Sequence, residues 1–465
     1  MKQPENSRPS DAFDRLLQRY QEKTLSEYEL TALNDELRTS PENRAAFIHH
    51  CRLSQLIRDS QALAQATNNP KPKVTPFNSK RRRISIFAIG IAASLILVFN
   101  LLFQPELNPD SAPLATISQA QKARWANGTR VLENTDIDAC VLELRRGLIR
   151  LDFANGARVS LQGPAKAEVL SPNNIRLLSG VLTAHIPEEA HGFTVDTIDA
   201  NVVDLSTAFG VSVSEANGTD VCVFEGEVEV NLDQAEGKHR IAEGHFVRAR
   251  ASIETLEKLN YQTDLFEESW PMTSGVLQTT GLMKFVSPGP EFVPGKYEDD
   301  THILVFPESR DVILDEAVII DLDEPGEYRR WHRTENRTLA PGKRVRSYLL
   351  QLNPVGTEQR FQNKQTSVLG QITFDHPILG LIASSRKLES TDAALGHPDA
   401  SYGNKRRGIE PPRREDGPRD DRDILILGAD RRTLILNLGV DTAVDQIRVI
   451  VEETSIAEYA ADFNR

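Results

Sequence analysis

The chain has 465 residues, 39% hydrophobic and 26% charged, a balance that excludes a disordered chain and a polytopic membrane protein. Its 67 acidic and 54 basic residues give a formal net charge of -13, which argues against nucleic acid as a direct partner. Three cysteines without a CxxC pair argue against a disulfide scaffold or a structural zinc site. At roughly 150 residues per domain, this length holds about three folding units.

Residues 1–63 read as short helices. Ser26-Glu27-Tyr28-Glu29 has the form of a capping box, with Leu25 and Leu30 placed as a hydrophobic staple. Leu30, Leu33 and Leu37 then share one helical stripe, and Ser40-Pro41 opens a further helix carrying Phe47, Leu53 and Leu56. Three short helices make a thin core, so these stripes either pack on one another or receive a partner. Adjacent His49 and His50 beside Cys51 cannot face one ion together on a helix. Residues 64–83, rich in Pro, Asn and Lys, read as a basic linker.

From Ile84 to Phe103 no charge occurs, and thirteen of the twenty residues are Ile, Leu, Val or Phe. About 20 such residues cross a bilayer, so the stretch is expected to be a transmembrane helix in contact with lipid. Lys80, Arg81, Arg82 and Arg83 precede it, whereas the first basic residue after it is Lys122. The positive-inside rule then expects a single-pass protein of the inner membrane, its N-terminus in the cytoplasm and its C-terminal bulk outside.

Between residues 115 and 250 the hydrophobic period becomes two. Segments such as Cys140-Val-Leu-Glu-Leu, Gly147-Leu-Ile-Arg-Leu-Asp-Phe and Val181-Leu-Thr-Ala-His-Ile alternate apolar and polar residues. Asn155-Gly156, Pro172-Asn173-Asn174 and Ser179-Gly180 read as turns between them. Many short strands without intervening helical patterns indicate an antiparallel β fold. Glu225-Gly226 reads as a hairpin turn. Cys140 and Cys222 both fall in strand-like runs, which favours free thiols, although an oxidising compartment would allow them to pair. Strand patterns resume over residues 265–465, for example Val345–Leu352, Ile378–Ile382 and Gln446–Val451, and suggest a β-sandwich. No Ser/His/Asp set or pair of acids at catalytic spacing stands out, so no enzyme activity and no cofactor or metal is expected.

Three resemblances overlay this reading. The wording LLQRYQEKTLSEYELTALNDELRTSPENRAAFIHHCRLSQLI resembles the N-terminal segment of planctomycete membrane anti-sigma regulators. That implies Leu30, Leu33, Leu37, Phe47, Leu53 and Leu56 as contacts for a sigma factor. Phe193, Val195 and Thr197, then Thr207 and Phe209, then Glu225 and Gly226 follow the order of motifs in the FecR domain, which residues 115–250 resemble. Ser206 stands where that family carries Gly. SYLLQLNPVG, GQITFDHPILGLIASSRKLESTDAALG and LILNLGVDTAVDQIRVIVE resemble a β-rich module of surface proteins in bacteria that carry the PEP-CTERM signal.

Together these expectations describe a multidomain chain: a small all-α cytoplasmic part, one transmembrane helix and two all-β extracytoplasmic domains, a FecR-like β fold followed by a β-sandwich. The function expected is transmembrane signalling, an outside cue controlling an extracytoplasmic-function sigma factor. An envelope protein or a glycan is the partner expected outside. The alternative function is an anchored surface protein whose C-terminal sandwich binds polysaccharide, for which Tyr328-Arg329-Arg330-Trp331-His332-Arg333 offers a basic-aromatic cluster able to grip an anionic sugar.

Overall fold

The computed structural model describes residues 113–205, 207–232, 238–250, 253–289, 292–328, 337–354, 367–403, 406–409, 423–439 and 444–453, with seven helical positions between 13 and 47. The described body is all-β. Among the described residues its helices are short: α1 (Ser269–Thr273) and α2 (Ser385–Leu395), with three single 3-10 turns.

Residues 115–259 form one thirteen-stranded sheet. It is built on three long antiparallel strands, Cys140–Phe153, Arg158–Ser171 and Asn174–His185. The last of these forks. Residues 174–176 pair in parallel with Thr194–Asp196, while residues 180–185 pair antiparallel with Ala208–Ser214. Two wings therefore leave one strand and wrap a common core that includes Leu151, Val159, Leu182, Phe193 and Phe209.

The sequence suggested separate strands at Cys140 and Gly147, and a turn at Ser179-Gly180. Each is instead a bend within one long strand, and the reason is a column of glycines. Gly147 pairs with Gly163. A Cβ on Gly147 would sit 2.5 Å from the Gln121 carbonyl oxygen, one on Gly163 would sit 2.8 Å from the Arg146 backbone, and one on Gly180 would sit 2.5 Å from the Ala165 Cβ. Adjacent strands approach closely along this line, which bends the sheet without breaking it.

Residues 276–452 form two five-stranded sheets. In one, Val276–Gly281, Ser367–Phe374, Thr433–Gly439, Ile424–Leu427 and Gly326–Tyr328 lie in that order. In the other the order is Met283–Phe285, Asp299–Ile313, Arg344–Asn353, Asp445–Glu452 and Ile378–Ile382. Their facing sides share one core, including Phe374, Leu436, Leu350 and Val449.

The expected fold class needs correction. The N-terminal helical positions do not form a separate all-α part: Phe13, Leu33 and Phe47 are buried in one cluster with Leu369 and Ile435 of the first C-terminal sheet. These three side chains gain from the sheet the burial that a thin helical core would not supply. The expected transmembrane helix, Ile84 to Phe103, and Lys80, Arg81, Arg82 and Arg83 before it lie outside the described residues. Among the described residues no helix is long and apolar enough to cross a membrane.

Candidate functional site

The most unusual chemistry in the molecule lies where the two β modules meet. On strand Cys140–Phe153, Ile149, Leu151 and Phe153 face the first core, so the alternate residues Arg150 and Asp152 face away from it. Register carries that second face across the sheet: Ser160 lies opposite Arg150, Arg158 opposite Asp152, Thr183 opposite Ser160 and His185 opposite Arg158. An isolated sheet would hold such a face in water. Here all six residues are buried, because α1 and the C-terminal module cover them.

The covering side supplies matching charge. Arg150 Nη1 lies 2.7 Å from Asp375 Oδ2, and its Nε lies 2.9 Å from Asp152 Oδ1. Asp375 also pairs with Arg346. Arg346 Nη1 lies 3.3 Å from Glu453 Oε2, and Arg158 Nη2 lies 2.6 Å from Glu453 Oε1. Asp152, Arg150, Asp375, Arg346, Glu453 and Arg158 thus form a buried chain of alternating sign that crosses the module boundary twice. Charges this dry persist only when paired and hydrogen-bonded. Burial alone would push the Glu453 carboxyl up, but Arg158 and Arg346 outweigh it and hold the group well below its ordinary value.

Neutral contacts extend the joint. The Thr183 and Thr273 hydroxyls lie 2.7 Å apart, and Gln121 donates to the Leu277 carbonyl. Beside them Phe224 stacks on Trp270 with ring centroids 4.5 Å apart, in an apolar cluster that also takes Phe246 and Phe266. Arg310 lies over the Trp270 ring at 5.1 Å and places its Nε 3.5 Å from Glu225 Oε2. A second buried charge group, Arg448 held by both oxygens of Glu308 at 2.7 and 2.8 Å, lies wholly within the C-terminal module beneath α2.

The residues carrying the FecR resemblance are mostly scaffold. Phe193, Val195 and Phe209 are buried in the first core, Phe193 edge-on to Phe153 at 5.0 Å. The Thr197 hydroxyl accepts the Asp199 and Ala200 backbone N–H groups, and Thr207 donates to Asp204. Glu225-Gly226 is not a hairpin turn: Gly218–Glu225 and Glu227–Leu232 pair with different partners, in different wings. Glu225 instead reaches the joint through Arg310. Cys140 and Cys222 are both free thiols, and burial pushes the Cys222 thiol well above its ordinary value. Of the residues expected to meet a sigma factor, Leu33 and Phe47 are covered by the C-terminal sheet, while Leu30, Leu37, Leu53 and Leu56 lie outside the described residues. So do residues 329–333 of the basic-aromatic cluster. Among the described residues, no three His, Cys, Asp or Glu side chains group as metal ligands would.

The sequence reading missed the joint and α2. The helix had a signal: Ser384 before it, Leu388, Thr391 and Leu395 on its buried side, and Gly396 after it. Its start is fixed by Asp321, which accepts the backbone N–H groups of Ala383 and Ser384 at 2.8 and 2.9 Å and pairs with Lys387 at 2.7 Å.

No family model matches this chain, and no curated protein does. Among solved structures, two crystal structures of a protein from Parabacteroides distasonis ATCC 8503, at 1.65 and 2.50 Å resolution and described as a candidate anti-sigma factor, are similar to part of it. They share 16% and 15% identity with it, cover 31% of this chain and 69% and 67% of their own, and superpose with a TM-score of 0.25. Superposition at that level carries no argument about function.

Proposed function

We propose that this chain is a non-catalytic, FecR-type signalling regulator. Its N-terminal segment binds an extracytoplasmic-function sigma factor, and its two joined β modules receive the cue that governs that binding. The motif series from Phe193 to Gly226 and the N-terminal wording support the family reading. The observation that carries it is the burial of Phe13, Leu33 and Phe47 on Leu369 and Ile435. These apolar side chains seek a partner surface, and a short helical segment that does so is suited to exchange one partner for another.

The test is retention of a sigma factor encoded beside this chain's gene by the full chain and by residues 1–83. Retention is expected for both, tighter for the short segment, and Leu33→Asp should abolish it. A segment that retains no sigma factor overturns the reading.

A further inference from the structure

The joint holds two histidines. His185 is buried beside Arg158 on the neighbouring strand, and its Nδ1 has no hydrogen-bond partner. Arg310 from Asp299–Ile313, Arg346 from Arg344–Asn353 and Glu453 also act on it electrostatically. His376 follows Asp375, with its Nδ1 3.0 Å from Asp375 Oδ1 and 3.3 Å from Arg346 Nη2. Arg158, Arg150 and Glu453 act on it too, and Asp311 lies at the rim near Glu453, Arg158 and Arg344. A proton on either imidazole would add positive charge beside arginines already committed to Asp375 and Glu453. Parting of the modules would return His185 to water and take Arg158 and Arg150 away from His376.

We propose that His185 and His376 make the joint a proton-operated latch, so that acidification releases the two β modules from each other. Burial first, then Arg310 and Arg158, holds His185 well below its ordinary value of 6.5, and burial, then Arg346, holds His376 at about 3. The docked state therefore binds fewer protons than the parted state from pH 6.5 downward. Docking is fully favoured above that pH and is lost as pH falls, by about tenfold per pH unit for His185 and by less for His376, which keeps Arg346 of its own module beside it when the modules part. Glu453, also held low while docked, adds to the loss only below its ordinary value of 4.5. The latch deepens the regulator reading by naming the cue, and only its biological meaning rests on that reading.

Hydrogen exchange on the full chain, corrected for the intrinsic effect of pH, tests it. From pH 7.5 to 5.5, exchange at Ser274, Gly275 and Asp375, whose N–H groups donate to the Trp270, Met272 and Gly275 carbonyls at the joint, should rise by more than about tenfold. His376→Asn, at a side chain 18% exposed, should reduce the rise to about tenfold, and His185→Asn with His376→Asn should remove it. Unchanged protection of the natural chain at pH 5.5 overturns the latch, as does His376→Asn responding like the natural chain. If the double variant does not fold, His376→Asn alone decides. Sigma-factor retention without an acid response sinks only the latch. An acid response without retention sinks only the regulator reading.

Discussion

Arg150 and Asp375, 225 positions apart in sequence, meet at 2.7 Å with both side chains buried. One belongs to the first β module and the other to the second, so the pair exists only while the modules are docked. Removing one partner leaves a desolvated charge. Arg150→Ala or Asp375→Asn should therefore cost about 3–5 kcal/mol, and Arg150→Met with Asp375→Leu should cost less than the two together, although Asp152 and Arg346 each lose a partner. Urea denaturation of the three variants checks this, and strictly additive losses would contradict it.

Glu453 is shared by Arg158 and Arg346. A carboxylate held below its ordinary value stabilises the docked state above 4.5, and that contribution disappears as pH falls. Glu453→Gln should lose about 3–5 kcal/mol at pH 7 by leaving two arginines underpaired. It should also show a shallower acid limb below pH 4.5 than the natural chain. Thermal unfolding from pH 7 to 3 measures both effects.

Gly275 sits at φ 90°, and a Cβ there would lie 2.6 Å from the Arg346 guanidinium carbon. Both the backbone and Arg346 oppose a side chain. Gly275→Ala should lose about 1–3 kcal/mol and loosen the joint, read as faster hydrogen exchange at Asp375, whose N–H donates to the Gly275 carbonyl. Gly342→Ala, at φ 82° with open space around it, separates the backbone cost from the steric one and should leave that exchange unchanged.

The cluster of Phe47 with Ile435 requires those two residues to share one side of any bilayer. The charge-free stretch from Ile84 to Phe103, read from sequence, sets them on opposite sides. In a chain freed of its natural cysteines, Phe47→Cys and Ile435→Cys should be joined by a short bis-maleimide in the purified protein. The same reaction in intact cells reports the native arrangement: linkage establishes a common compartment, and its absence there limits the contact to the purified chain.

Much of the β architecture was legible because alternation, as around Val202, reflects one buried face per strand, and the apolar runs at Val221 and Val345 mark strands buried on both faces. The bends at Gly147 and Gly180 were misread, since glycine in a strand pattern signals a turn as readily as a close approach. The joint was illegible for a deeper reason. Arg150, Asp152, Arg158 and His185 alternate with apolar residues as a solvated face does, and only a partner far along the chain turns that face inward. The same limit hid the covering of Leu33 and Phe47, whose helical stripe records that they are buried but not by what.

The glycine column also constrains how such a chain can change. Because Gln121, Gly147, Gly163 and Gly180 interlock across four neighbouring strands, adding or deleting one residue on either flank would shift that crease out of line with its neighbours. Lineages of this protein should therefore vary in length at the loop tips and almost never within the creased strands.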